Sequence, residues 1–338
     1  MARRLSRRTL VATGAALPVA GLLPSILSGG LRAEAAWKPA AATRLVVPAA
    51  PGGTTDIVAR LLAAFLQQSW GQSCVVDNKS GAGGVIGSTE VAKAAPDGQT
   101  MLMGNIGPQS IAYSLYRNMP YTPKSLVAVS NVITAPNVLV VHPSVPATTV
   151  PEFVAWLRAQ NGKASYASSG TGQSPHLSGA WFLQLTGAKA THVPYRGAAP
   201  ALNDLISGVT SYFFDNLTSS VEFMRAGKLR ALAITSAQRN PMVPDLMPIR
   251  ETMPELAPFD VSAWFGVFLP AGTPAPIVDA LNAEMKKWLS MPDTLERFRT
   301  MAGYADYGTP AEFKKFVDSQ IALWKGVIDK EGLKLDAN

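Results

Sequence analysis

Side-chain chemistry in this chain would have to come from a short list of residues. The only histidines are His142, His176 and His192, and the only cysteine is Cys74. None of them stands at the H-E-x-x-H or Cys/His spacing that holds zinc. No G-x-S-x-G elbow presents a serine, and no G-K-[ST] triplet forms a phosphate loop. A Ser-His-Asp set is defined by geometry rather than spacing, and nothing in the sequence assembles one. The chemistry on offer is that of the main chain. Pro48-Ala49-Ala50-Pro51-Gly52-Gly53-Thr54-Thr55-Asp56 follows the apolar run Leu45-Val46-Val47 and precedes a helical pattern, so it reads as strand, tight loop and helix. Gly52 and Gly53 permit positive φ and close backbone approach, and Thr54, Thr55 or Asp56 can cap the helix. That helix start aims free N–H groups and a positive dipole end at the loop mouth, which makes an anion site. A second glycine-rich turn runs from Gly81 through Gly83 and Gly84 to Gly87, but Ile86 stands where the dinucleotide pattern needs its third glycine.

Such loops need a scaffold. Short β runs alternate with longer helical patterns, the signature of α/β layers with a largely parallel sheet. Strands are expected at 45–47, 74–76, 100–103, 126–132 and 138–142, with helices at 56–70, stopped by Gly71, and at 88–95. Pro143, Pro146 and Pro151 mark a change of unit. A second half of similar make-up follows, with strands at 163–168, 190–195, 211–214 and 229–235 and helices at 151–159, through 185 and to 206. The apolar, aromatic run 261–269 leads to amphipathic helices at 275–289 and 310–329. Those helices need a sheet to cover, so the chain is expected to return to the first half near Trp264. Two crossovers and a hinged cleft follow.

Composition narrows the function. With 338 residues, 47% hydrophobic and 16% charged, the chain can furnish two ordinary cores. The formal charge of +7 would suit nucleic acid or an anionic membrane, until the first 35 residues are set aside. They open with Arg3, Arg4, Arg7 and Arg8, continue through a mildly apolar run and end near Ala33-Glu34-Ala35. That is the form of a secretion signal, and Arg7-Arg8 directly before the apolar run is of the twin-arginine type. The segment carries +4 of the charge and leaves +3, so no nucleic-acid partner is expected. Gly14, Pro18, Gly21 and Pro24 interrupt the run, which suits cleavage near Ala35 and a periplasmic product better than a permanent span. Cys74 beside Val75 and Val76 reads as a buried small hydrophobe.

The succession of motifs resembles one family. Val47-Pro48 with Pro51-Gly52-Gly53 and Asp56, Asn78 with Gly81-Ala82-Gly83-Gly84, and Ala95-Pro96-Asp97-Gly98 occur in its order, as do Ala135-Pro136-Asn137, Ser168-Ser169-Gly170 and Ser174-Pro175-His176. His192-Val193-Pro194-Tyr195-Arg196-Gly197, Phe214-Asp215-Asn216 and Pro270-Ala271-Gly272-Thr273-Pro274 complete it. Over roughly residues 43–335 the chain is similar to the Bug family, the extracytoplasmic receptors of tripartite tricarboxylate transporters. The resemblance implies a two-lobed periplasmic binding-protein fold of type II-like form, each lobe a mixed sheet flanked by helices, joined by two crossover strands. One lobe would comprise 43–142 with 264–338 and the other 143–263. It also implies a non-enzymatic monomer without a cofactor, which closes on a small organic carboxylate and passes it to a membrane permease.

In such receptors the ligand lies between the lobes, held by backbone N–H groups and small hydroxyls. Carried onto this chain, the first-lobe positions are Ala49, Gly53, Thr54, Asp56, Gly83 and Gly107. On the second lobe they are Ser169, Gly170, Thr171, Ser174, His176, Tyr195 and Asp215, with Arg196 as either a carboxylate clamp or a solvated cation. Asp56 reads equally as a helix cap, His176 as first-turn packing, and Asp215 as a structural acceptor for its loop. The family often has an aromatic residue where Ala49 stands, so a methyl there leaves room for a bulkier or aromatic ligand. A secreted enzyme acting on a carboxylate ester or lactone in the same cleft is the competing reading.

Overall fold

A computed structural model describes residues 37–331. The leader expected at 1–35 lies outside the described residues. The first elements are β1 (Thr43–Val47), α1 (Thr54–Trp70), β2 (Cys74–Asn78), α2 (Val85–Ala92) and β3 (Thr100–Asn105). A π-helical turn (Gly107–Ile111) then runs into α3 (Ala112–Leu115) and β4 (Leu126–Val141). Then follow α4 (Val150–Gln160), β5 (Ser165–Ser168), α5 (Ser174–Thr186), β6 (Thr191–Pro194), α6 (Ala198–Ile206), β7 (Tyr212–Asn216), α7 (Leu217–Arg225) and β8 (Arg230–Ile234). The chain returns through β9 (Ser262–Pro270) and ends with α8 (Ala275–Leu289), α9 (Pro292–Thr300), β10 (Tyr304–Ala305) and α10 (Pro310–Glu331).

One curled mixed sheet runs through the molecule in the order β2-β1-β3-β9-β4-β7-β5-β6, with β8 and β10 also on β4. Pairing within β1, β2 and β3, and within β5, β6 and β7, is parallel. β9 and β4 are antiparallel to their neighbours. These two are the crossover strands of a two-lobed α/β binding-protein fold.

β4 corrects an expectation. Residues 126–132 and 138–142, read as two strands, belong to a single strand of 16 residues. Its first part, as far as Pro136, pairs with β9, and from Asn137 onward it pairs with β7 and, from Val138, with β8. Pro136 looks like a breaker in the sequence, but it sits where the ladder passes from one partner to the next, so its missing N–H interrupts least. Other differences are small. α2 starts at Val85 rather than 88 and stops at Ala92 rather than 95, because the glycine turn winds directly into it. α7, α9 and β10 had no sequence-based counterpart.

The apolar spacing explains how the helices dock. α1 buries Val58, Ala59, Leu62, Ala63, Leu66 and Trp70, one face of a 3.6-residue repeat, and it ends at Gly71 with φ 69°. α10 buries Phe313, Val317, Trp324 and Ile328 over the first-lobe sheet. Phe313 stands edge-on to Trp264 at 5.7 Å and tilted against Phe268 at 5.1 Å, both on β9. Gly266 makes that approach possible. A Cβ there would lie 2.2 Å from Phe313 Cζ and 2.8 Å from the Ser130 carbonyl oxygen. Gly266→Ala is therefore expected to cost about 1–3 kcal/mol through overpacking, read as a lowered urea midpoint at unchanged slope. An unchanged midpoint would show that α10 does not dock this way.

Candidate ligand-binding site

Four helices start at the seam between the lobes, and none carries a side-chain cap: α1 after Gly53, α5 after Gln173, α6 after Gly197 and α7 after Asn216. All four cap residues line one cavity. α4, none of whose residues lines it, has a full capping box between Thr149 and Glu152, while α2, α8 and α9 lack side-chain caps away from it, so the convergence of four starts is what marks the cavity. The first N–H groups of a helix have no partner within it, so uncapped starts converging on one point create a concentration of donors and of positive partial charge. The lining contains no Lys or Arg. Hydroxyls stand among the amides, from Thr54 and Thr55 on α1 and from Ser169 and Ser174 beside α5. Asn105 and Asn216 add side-chain amides, and Phe265 of β9 adds an apolar wall. The Asn216 amide oxygen is buried with no hydrogen-bond partner among the described residues. By turning over, that amide can present either its oxygen or its NH2.

The lobes meet closely. The Ala50 N–H donates to the Arg196 carbonyl at 2.9 Å, Gln173 Nε2 to the Gly83 carbonyl at 2.7 Å, and the Tyr116 hydroxyl to the Thr171 carbonyl at 3.0 Å. The Thr54 and Thr218 hydroxyls share a hydrogen bond of 2.5 Å. Glycines keep the mating faces bare. A Cβ on Gly83, which has φ 59°, would stand 2.1 Å from the Thr171 carbonyl oxygen. On Gly53 it would stand 3.2 Å from Ala198 Cβ, and on Gly197 3.0 Å from Ala50 Cβ. The inner cavity is about 20 Å³, enough for one water and no organic solute. An outer mouth of about 400 Å³ lies against it and shares Ser169. As the lobes stand, the inner amides are closed to an organic solute.

The residues expected to meet ligand divide into three groups. Ala49, Gly53, Thr54, Ser169 and Ser174 line the inner cavity. Gly83, Gly170, Thr171, Tyr195 and Arg196 line the mouth. At Gly107 an added Cβ would lie 2.6 Å from Gln173 Oε1, so this glycine sits against the side chain that bridges the seam. Asp56, His176 and Asp215 lie in neither lining and brace the loops instead. The buried Asp56 carboxylate accepts from the Gly52 N–H at 2.9 Å, Arg60 Nε at 3.0 Å and Asn78 Nδ2 at 3.0 Å. Burial pushes its pKa up, but the hydrogen bonds from Arg60, Gly52 and Asn78 outweigh it and hold it below the ordinary value. Asp215 accepts from the Ser219 and Ser220 hydroxyls at 2.6 and 2.7 Å, and burial raises it to about 6. Arg196 presents its carbonyl, not its guanidinium, to Ala50 of the first lobe. Sequence reasoning missed Asn105, Gln173 and Asn216 as lining residues. Asn216 occupies the cap position of α7 and is of a type favoured there, so the capping rule could have found it, whereas Gln173 at the cap of α5 carries no such signal.

Beneath the second-lobe loop lies a histidine stack. The His176 and His192 rings are 4.1 Å apart, Tyr166 covers the other face of His192 at 4.8 Å, and His192 Nε2 is 2.7 Å from Ser168 Oγ. The Gly172 N–H donates to His176 Nδ1 at 3.2 Å, which requires a neutral ring. Burial lowers His176 to about 4, and burial with the neighbouring His176 lowers His192 to about 3. Unfolded imidazoles protonate near 6.5, so this contribution is full above that pH and is lost progressively as pH falls toward 3–4. Asp215 acts in the opposite sense, its contribution being present below 3.8 and lost as pH rises through about 6. Between pH 6.5 and 5, stability should fall by about 1–2 kcal/mol per imidazole. His192→Gln should remove one imidazole's share of that fall, about 1–2 kcal/mol, with the opposing Asp215 contribution unchanged, measured by urea unfolding across that range. An identical pH profile in the variant would mean that the ring is not held neutral.

A family model described as tripartite tricarboxylate transporter family receptor, TctC, matches residues 58–333. Protein BugT of Bordetella pertussis is 37% identical over 301 residues, covering 88% of this chain and 91% of that one. The solved periplasmic binding protein BugD superposes with a TM-score of 0.84 at 34% identity, over 88% of this chain and all of that one (100%). An R. palustris protein solved with adipate superposes with a TM-score of 0.85 at 36% identity, over 88% of this chain and 99% of that one. With its two-lobed fold and interlobe cavity, this chain belongs to the TctC family of periplasmic solute-binding receptors, the Bug proteins.

Proposed function

We propose that this protein captures a small organic carboxylate in the seam between its lobes and delivers it to a membrane permease of the tripartite tricarboxylate type. The observation that carries this reading is the convergence of four uncapped helix starts on a cavity lined by amides and hydroxyls, with no Lys or Arg. A carboxylate there receives several N–H donors and the positive ends of the helix dipoles together. A cation would be repelled by the same field. The adipate held by the R. palustris relative is of this chemical class. Ala49 in the lining supports a ligand with a broader or aromatic body than an aromatic residue at that position would admit.

In this reading the mature protein begins near Ala35 and works in the periplasm as a monomer, with lobes of about 43–142 plus 264–338 and 143–263. No catalytic step is assigned. Ser168 and His192 form a Ser–His contact, but Ser168 is fully buried and its hydroxyl also accepts from the Gly170 N–H, so it holds the loop rather than facing solute. Incubation with the best ligand should return it unchanged by mass spectrometry, and a product would favour the ester- or lactone-cleaving alternative.

Two results test the receptor reading. In a thermal-shift panel of aliphatic and aromatic carboxylates, at least one compound should stabilise the protein, by about 2.7 kcal/mol at a hundredfold excess over Kd. Stabilisation by cations or sugar phosphates alone would reject it. Gly53→Val should weaken the best ligand at least tenfold and change unliganded stability by less than about 1 kcal/mol, because the added methyls meet Ala198 of the opposite lobe only on closure. Equal binding by the variant, measured by calorimetry, would remove the loop from the site.

A further inference from the structure

The π-helical turn has a second face. Gly107 meets Gln173 at the seam, while Gln109 and, one turn on, Tyr113 line a separate cavity of about 570 Å³ on the first lobe, beneath the start of α10. Its walls are apolar: Leu126 and Val127 of β4, Phe268 of β9 and Val317 of α10. The volume lies within the range of small-molecule sites, which combine apolar walls with few polar groups. Two of its polar groups lack partners. Tyr113, whose ring stands edge-on to Tyr121 at 5.7 Å, has no hydrogen bond to its hydroxyl among the described residues. A phenol in an apolar wall normally finds an acceptor. Lys124 is exposed at the rim with no ion pair among the described residues, whereas Lys314 across from it is paired with Asp318 at 2.6 Å. Gln109 is already satisfied, accepting from the Asn105 N–H and donating to Ser88, so it serves as floor.

We infer that this cavity is a second binding site, for an amphipathic monocarboxylate of the fatty-acid or arylalkanoate type. The apolar body lies against Leu126, Phe268 and Val317, and the carboxylate takes the free cation of Lys124 at the rim. The phenol of Tyr113 supplies one donor to a ligand oxygen. The chemistry differs from that of the seam, where the lining is small and polar and no cation stands in it.

Calorimetry with decanoate below its micellar concentration tests the assignment on the wild type and three variants. Ala311 is exposed at the mouth of the cavity, so Ala311→Trp fills the opening without entering the core. The wild type should bind one decanoate, Ala311→Trp should lose at least tenfold in affinity, Lys124→Glu should lose about three- to tenfold, and the seam variant Gly53→Val should bind as the wild type does. A diazirine-bearing decanoate should label peptides of β4 and α10. The assignment is overturned if the wild type does not bind decanoate, if Ala311→Trp leaves binding unchanged, if Gly53→Val abolishes it, or if the label falls on residues 169–174. Because Gly53→Val weakens ligands of the seam and lies outside this cavity, it reads the seam separately, and failure here would leave the receptor function standing.

Discussion

A helix start placed inside a protein must give its free N–H groups to something. In this molecule four such starts are left without caps at one place, and that single constraint explains the character of the site. Caps of Ser, Thr, Asp or Asn would satisfy the donors locally and would also fill the space. Here Gly53 and Gly197 stand at two of the cap positions, and Gln173 turns its side chain to the Gly83 carbonyl of the opposite lobe. The donors are thereby reserved for whatever lies between the lobes. Each helix dipole contributes roughly 0.3–1 kcal/mol at an exposed site and up to about 2 where partly buried. Selectivity for negative charge is built from fixed main chain, with no side-chain entropy to lose on binding.

The same bareness governs closure. Direct hydrogen bonds across the seam are few and mostly reach carbonyl oxygens, so closing exchanges solvated main-chain groups for paired ones at modest gain. A ligand that offers acceptors to all four helix starts binds the closed arrangement differentially, and only differential affinity can shift such an equilibrium. The outer mouth adjoins the inner amides and shares Ser169 with their cavity. The bulged, antiparallel pairing of β4 and β9 ties the lobes together.

Much of this was legible in the residues. The strand, loop and helix at 45–70 appear in the order read, because the apolar run, the glycines and the helical spacing are local signals, but the cap position falls to Gly53 with no side-chain cap rather than to Thr54, Thr55 or Asp56. The helices at 275–289 and from 310 were also plain, since their apolar stripes demand a sheet to cover. Pro136 misled because a proline that breaks a strand and one that sits at a change of partner look alike in sequence. α7 escaped notice because Thr218, Ser219 and Ser220 resemble a loop until two of them are seen bonding to Asp215 one turn back. The His176–His192 stack depends on β6 lying beside the start of α5, a juxtaposition no local pattern encodes. Asp56 and Asp215 were ambiguous for the same reason: a carboxylate near a loop serves structure or ligand according to which donors the fold brings to it.

The sheet order has a consequence for how the chain is made. β3 and β4 follow one another in sequence, yet they never touch as neighbours, because β9 is threaded between them. As synthesis proceeds, the contiguous half can complete its own ladder while the other waits, split down the middle, for a strand that leaves the ribosome more than a hundred residues later. Contacts of such sequence separation are slow to form, and until they do two long apolar strand edges lie open. The first-lobe sheet is therefore completed only when the last quarter of the chain is present.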